Sequence, residues 1–195
     1  MGEIAAQGKI MAALNPPICD FGRAAPNFDL PGCDGLRHTL ASCRGAKGLL
    51  VIFMCNHCPF VKAVIDRIVR DTRELAKHGI GSVAIMSNDV TVHPEDDPKI
   101  MRQWAQEMNF PFPYLYDETQ SVAHAFGAVC TPDYFGYNAD LKLQYRGRLD
   151  ASGRNPAALD APRELFAAML AIAQSGNGPA LQTPSIGCSI KWKAE

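Results

Sequence analysis

Residues 47–62 read KGLLVIFMCNHCPFVK. An unbroken apolar run, Leu49 to Met54, passes directly into Cys55, Asn56, His57, Cys58 and Pro59. A short run of β-forming residues is the pattern of a strand buried on both faces. Beyond it, apolar residues recur at 60, 61, 64, 65, 68, 69, 75 and 76 as far as Gly79. That spacing predicts an amphipathic helix over 59–78, closed by the glycine. Two cysteines three apart therefore stand where a buried strand becomes a helix. By residue type alone the pair reads as a redox couple, a metal clip or two buried thiols.

Working outward, Phe28–Leu30 and Leu36–Leu40 flank the turn-rich Pro31-Gly32-Cys33-Asp34-Gly35, which predicts a small β-hairpin. Ile80–Ser87 reads as a second buried strand. Asp97-Pro98 opens a helix in the favoured cap-then-proline order, with Ile100, Met101, Trp104 and Met108 on one face. Tyr114–Tyr116 is a short strand, and Thr119 is expected to cap a brief helix ending at Gly127. Tyr134–Tyr137 and Leu141–Leu149 predict an antiparallel pair turned at Asn138-Ala139-Asp140. A last helix is expected after Asp160, to about Gln174. The succession predicts an α/β fold, a three-layer α/β/α sandwich around a central mixed β-sheet with an N-terminal β-hairpin. The expected organisation is an N-terminal arm over residues 1–23, one domain over 24–174, and a tail over 175–195 that docks on it.

The chain has 195 residues, enough for one well-buried domain. Its net charge of −1 gives no electrostatic reason to expect nucleic acid or an anionic membrane as partner. No apolar run approaches the length of a membrane span. Near the N-terminus no basic stretch leads into a sustained apolar core, so a cytoplasmic location is expected. The seven cysteines, at 19, 33, 43, 55, 58, 130 and 188, are odd in number and scattered, unlike a secreted disulfide framework. In a reducing compartment most are expected to be free thiols.

Thiol–disulfide exchange needs a thiolate for attack and a second thiol within reach of the mixed disulfide. C-x-x-C at a helix start supplies both, because the first turn keeps the sulfurs close. Unpaired N–H groups and the positive end of the helix dipole favour the anion there. His57, between the cysteines, and Lys62, one turn beyond Cys58, are candidate cations to lower a thiol further.

The segments APNFDLPGCDG at 25–35, the strand-to-CxxC junction, CTPDYF at 130–135 and LQYRGRLD at 143–150 together resemble the thioredoxin-fold redoxin family. That family includes thioredoxin-like exchangers and the alkyl hydroperoxide reductase/thiol-specific antioxidant proteins. The resemblance covers roughly residues 24–173. It implies a thiol–disulfide oxidoreductase with no cofactor, in which Cys55 is the exposed nucleophile and Cys58 the buried resolver. It further implies that Thr131-Pro132 is the family's cis-proline, which offers backbone to a substrate disulfide. The implied partners are protein or small-molecule disulfides and an upstream thiol reductant, a thioredoxin or glutathione system.

The chain departs from the family in three places. With Pro59 as the first helical residue, Cys58 becomes the N-cap and holds the better anion position, as in peroxiredoxins. The peroxiredoxin pattern laid on Cys58 requires Pro at 51 and Thr or Ser at 55, where this chain has Val51 and Cys55. The peroxidase pocket is therefore not written here, and a thiol peroxidase using Cys58 stands as the alternative reading. Thioredoxins also keep a buried acid on the strand before the motif, and residues 49–54 contain no carboxylate; water or His57 is expected to relay protons instead.

A metal (copper) carrier is a further alternative, since Cys55, His57 and Cys58 offer three soft ligands. Copper-delivery proteins of this fold carry a spacing one residue longer and a distant loop histidine, whereas His124 falls on a predicted helix; no metal site is assigned.

Cys130 reads as a core thiol, and Arg146 and Arg148 as solvated strand charges. His38, His78 and His93 read as surface or loop residues, and Cys19, Cys33 and Cys43 receive no role. The tail segment TPSIGCSIKWK, 183–193, alternates Ile186, Ile190 and Trp192, the pattern of an edge strand. Related redoxin-like proteins end in a similar Gly-Cys-x-Ile-Lys-Trp-Lys, and Cys188 is a candidate third redox thiol.

Overall fold

The computed structural model describes residues 13–14, 20–158 and 160–194. Most of the expected N-terminal arm, with Cys19, lies outside the described residues. In chain order the elements are β1 (Ala13–Leu14), β2 (Asp29–Pro31), β3 (Arg37–Thr39), α1 (Leu40–Cys43), β4 (Gly48–Phe53), α2 (Pro59–Lys62) and α3 (Ile65–Ala76). There follow β5 (Ile80–Met86), a 3-10 turn (Pro94–Asp96), α4 (Pro98–Glu107), β6 (Tyr114–Tyr116), α5 (Ser121–Phe126), β7 (Cys130–Thr131), β8 (Asp133–Asn138), β9 (Leu143–Tyr145), α6 (Glu164–Ser175) and β10 (Gly187–Ser189).

The architecture follows from β4. Its residues from Leu49 to Phe53 are fully buried, so both faces of the strand are covered. Successive strand side chains point to opposite faces. Leu50, Ile52 and Met54 accordingly join Ile65, Ile68 and Leu75 of α3 and Leu165, Met169 and Ile172 of α6. Leu49, Val51 and Phe53 join Phe28, Leu40, Val122 and Phe126 in a second cluster on the other side. Phe126 meets Phe53 edge-on at 5.4 Å between centroids, a geometry that suits the ring quadrupoles.

The sheet is mixed. β4 pairs antiparallel with β8, Gly48 opposite Asn138 through Phe53 opposite Asp133, and β8 pairs antiparallel with β9. β5 pairs parallel with β6, and the Met54 N–H donates to the Ile85 carbonyl where β4 lies beside β5. β2 and β3 form the antiparallel hairpin. Asp97 caps α4 through the Lys99 N–H, with Pro98 in the first turn. None of the described helices is long and apolar enough to cross a membrane.

Several local expectations are corrected. The helix expected over 59–78 is two helices, parted at Ala63 and Val64, where the Val64 N–H donates to the Val61 carbonyl in a tighter turn. Thr119 does not cap α5. The carboxylate of Asp117 reaches the Val122 and Ala123 N–H groups instead, and Gln120 takes the left-handed cap position. The second strand of the later hairpin shortens to Leu143–Tyr145.

Arg146 is buried, not a solvated strand charge. Its guanidinium donates to both oxygens of fully buried Asp133 and to the Gly127 carbonyl, and lies over the Phe135 ring at 4.4 Å. Arg146 and Arg148 lie beyond the end of β9, and they meet different groups: Arg146 the carboxylate of β8 and Phe135, Arg148 the first turn of α6. Arg148 remains partly exposed and pairs with Glu164.

The tail forms a second small sheet with β10 at its centre. Gly187 and Cys188 pair with Leu14 and Ala13 on one side; Cys188 and Ser189 pair with Thr131 and Cys130 on the other. Gly187 is required there. A Cβ at this position would sit 2.1 Å from the Thr131 carbonyl oxygen, closer than any side chain tolerates. Of the three alternating apolar residues, Ile190 is buried, while Ile186 and Trp192 stay about half exposed. Trp192 stacks on His124 of α5, centroids 4.1 Å apart.

Candidate active site

The chain leaves β4 at Phe53 and turns through Cys55, Asn56 and His57 into α2. Asp96, from the 3-10 turn, holds this loop: its Oδ1 accepts the N–H groups of Asn56 at 2.8 Å and His57 at 3.2 Å. Its Oδ2 contacts His57 Nδ1 at 2.6 Å and accepts from the Asn88 amide at 2.8 Å. The Asn56 side chain is fixed in turn, donating to the Glu95 carbonyl and accepting from the Tyr114 hydroxyl. Pro59 is the first residue of α2 and Cys58 its N-cap.

Asp96 is fully buried and supplies the acid that the leading strand lacks. Burial pushes its carboxyl up, but the hydrogen bonds from His57 and Asn88 outweigh this, and the net shift is downward. With Asp96 ionised, His57 donates through Nδ1. His57 Nε2 is buried without a hydrogen-bond partner among the described residues. His93 stacks flat on His57, centroids 4.3 Å apart, so His93 belongs to the site and is not a plain loop histidine. Sequence pattern gave no sign of Asp96, Asn88 or His93, because the turn Pro94–Asp96 reads only as a polar loop.

The sulfurs converge on Cys58. Its Sγ lies 2.8 Å from Cys188 Sγ and 3.1 Å from the Thr131 carbonyl oxygen. Cys55 Sγ lies 3.5 Å from Thr131 Oγ1. The hydrogen bonds from Cys188 and then Cys55 pull the Cys58 thiol well below its ordinary value, against the opposing effect of burial. The Val61 N–H at the start of α2 also favours the anion, though it falls short of a capping hydrogen bond.

Cys55 is pushed well up by burial, by its bond to Cys58 and by the Asp96 charge. Cys188 is pushed up by its bond to Cys58 and then by burial. The three thiols titrate as a coupled set, in which Cys58 is drawn down while Cys55 and Cys188 are pushed up.

This corrects one expectation. Cys55 is 1 % exposed and is therefore not the exposed thiol of the pair; both cysteines are buried. Lys62 is also placed elsewhere, exposed and lining a surface hollow with Asn56, Glu95 and Glu107. Cys130 is buried in the core, where burial raises its thiol.

Thr131–Pro132 is a cis peptide beside the two sulfurs. Pro132, Phe60, Val64, Tyr134 and Ser185 line a cleft of about 360 Å³ next to it.

Cys55 Sγ, a His57 ring nitrogen and an Asp96 oxygen lie within 4.8 Å of one another, the donor set among the described residues that could hold a metal ion. Both Asp96 oxygens, however, are already taken by four hydrogen bonds. The arrangement is better suited to orienting an imidazole than to holding a cation.

A model of the AhpC/TSA family matches residues 21–148. An uncharacterized conserved protein from Geobacillus kaustophilus has a solved structure 43% identical in sequence, with a TM-score of 0.89, covering 95% of this chain and 98% of that chain. A hypothetical protein from Sinorhizobium meliloti 1021 is 36% identical with a TM-score of 0.87, covering 93% and 99%. A secreted disulfide oxidoreductase from Mycobacterium tuberculosis shares the fold at 20% identity, TM-score 0.53, over 72% and 92% of the two chains. No curated protein matches the chain.

Proposed function

We propose, from the premise that the chain belongs to the AhpC/TSA family, that it is a thiol–disulfide oxidoreductase working through Cys55 and Cys58. The observation that carries this reading is the placement of Cys58, its thiol drawn down, at the N-cap of α2, beside a second thiol that lies within 4.8 Å of His57 and Asp96. The order of action is the reverse of the one the family resemblance implies. Cys58 attacks one sulfur of a substrate disulfide, the substrate S–S bond breaks, and one substrate thiolate leaves. Cys55 then loses its proton to His57, which Asp96 orients, and attacks Cys58 Sγ. The second substrate thiolate leaves, takes up the proton, and a Cys55–Cys58 disulfide remains. A thiol reductant of the thioredoxin or glutathione type resets the pair.

The cleft beside Pro132 suits a protein or small-molecule disulfide, and a reducing compartment such as the cytoplasm suits buried free thiols. The test is insulin reduction driven by dithiothreitol. Cys58→Ser should abolish turnover above the uncatalysed rate, and Cys55→Ser should lower it. The double variant Cys55→Ser/Cys188→Ser should accumulate a mixed disulfide on Cys58. Turnover that survives Cys58→Ser would refute the assignment.

A further inference from the structure

β10 occupies the edge of Cys130–Thr131, the backbone beside the cis-proline that an incoming disulfide has to approach. Opposite Thr131 it places Cys188, 2 % exposed, with its sulfur 2.8 Å from Cys58 Sγ. A disulfide bond is ~2.05 Å long, so joining the two sulfurs needs less than ~1 Å of movement.

The docking is extensive. The Ile190 N–H donates to the Val129 carbonyl at 3.0 Å. Lys191 N–H donates to Asn88 Oδ1, and the Lys191 carbonyl accepts from the Asp89 N–H and the Gln120 amide. Asn88 also donates to Asp96, so one side chain joins the tail to the acid of the redox loop. The Phe60 N–H at the start of α2 and the Lys191 charge favour the Cys188 thiolate, against the larger upward effects of its bond to Cys58 and of burial.

We propose that Cys188 is an intramolecular exchange partner of Cys58, and that a Cys58–Cys188 disulfide locks the C-terminal strand over the site. This deepens the oxidoreductase reading above and rests on it. After Cys58 has attacked a substrate disulfide and released one thiolate, Cys188 gives up its proton and attacks Cys58 Sγ. The second substrate thiolate leaves with that proton, and the new S–S bond joins the tail to α2. Two protein thiols are oxidised and one substrate disulfide is reduced to two thiols. Cys55, deprotonated by His57, then attacks Cys58 Sγ, transfers the bond to Cys55–Cys58 and releases Cys188 as the leaving thiolate. The tail is thus a built-in occupant of the substrate edge, held covalently in one oxidised state and free in the other.

Reduced protein is exposed to oxidised glutathione and its disulfides are mapped by non-reducing peptide mass spectrometry. Wild type should yield Cys55–Cys58. The Cys55→Ser variant should yield an internal Cys58–Cys188 disulfide, with little glutathione retained. Cys55→Ser/Cys188→Ala should instead retain glutathione on Cys58. Adding Gly187→Val to Cys55→Ser should slow the internal disulfide by about tenfold or more, because the undocked thiol loses its effective concentration. A Cys55→Ser protein that stays glutathionylated at Cys58 with Cys188 reduced overturns the inference, as does an internal disulfide formed equally fast with Gly187→Val. These results are distinct from a wild type that neither forms Cys55–Cys58 nor reduces insulin, which refutes the oxidoreductase reading itself.

Discussion

The imidazole of His57 and the carboxylate of Asp96 meet at 2.6 Å, on a loop where the carboxylate also receives two backbone N–H groups and the Asn88 amide. Asn at position 96 keeps one acceptor oxygen but turns an NH₂ toward two groups that donate. Asp96→Asn is therefore expected to cost about 1–3 kcal/mol at neutral pH. The Asp96 carboxyl lies below its ordinary value of 3.8. A depressed carboxyl contributes stability that is fully present above the unfolded value and is lost as pH falls through the folded one. The deficit of the variant should hold from neutral pH to about 4 and shrink in the acid range beneath. Urea unfolding of both proteins across that range checks it, and a deficit constant with pH would mean that the charge is not what matters.

Cys188 is the largest influence drawing the Cys58 thiol down, ahead of Cys55. Cys188→Ala removes that donor and leaves the redox loop intact. The thiolate absorbance of reduced protein near 240 nm should then titrate at higher pH than in wild type, while Cys188→Ser, which keeps an O–H donor, should fall between. An unchanged titration in the alanine variant would place the charge on another sulfur.

The sequence made the scaffold readable because burial on both faces leaves an unmistakable mark. The run Leu49–Met54 admits only a central strand, and the stripe after Pro59 only helices packed on it. The parts of the site that stayed hidden are those brought in over long separations. Asp96 lies 40 positions from Asn56, whereas Cys188, 130 positions from Cys58, was a candidate only through the tail's resemblance to related proteins. No periodicity links such pairs, since a single carboxylate in Pro94-Glu95-Asp96 is indistinguishable from a solvated one until the chain folds over it. Alternation in 143–150 likewise fails past Tyr145, where the strand ends and Arg146 and Arg148 turn to different partners. Gly187 is compatible by type with either a tight turn or a close backbone approach, and the fold uses it for the second, against Thr131.

Peroxide offers a further check on the chemistry. The residues that orient a peroxide in peroxiredoxins would occupy positions 51 and 55. Val51 is buried in the cluster formed by the opposite face of β4, and Cys55 brings a sulfur where a hydroxyl is needed. Cys58 is covered by Cys188 and fully buried besides. Reduced protein mixed with hydrogen peroxide in a stopped-flow instrument should react no faster than an ordinary thiolate. A rate orders of magnitude above that favours the antioxidant reading over the exchanger.

Arg146 and Asp133 form a buried pair at 2.9 Å one residue beyond Pro132, so their fate bears on how the site is held. Burial raises the Asp133 carboxyl despite the arginine beside it. Arg146→Met keeps most of the apolar stem but leaves a carboxylate without its cation. Breaking such a pair costs about 3–5 kcal/mol when the remaining charge must stay ionised. Asp133 can escape part of that cost by taking a proton, and the sign of the pH dependence follows. A carboxyl raised above its unfolded value is least costly below that value, and its penalty grows as pH rises through the folded one. The destabilisation caused by Arg146→Met should therefore be small near pH 4 and increase toward neutral pH, the same sense as the Asp96→Asn deficit but over a higher pH window. Asp133→Asn added to Arg146→Met should recover much of the loss at neutral pH and flatten its pH dependence. Denaturant unfolding of the single and double variants at several pH values measures both effects. A loss that is the same at every pH would trace the role of Arg146 to its packing over Phe135 and its bond to the Gly127 carbonyl, and not to the charge of Asp133.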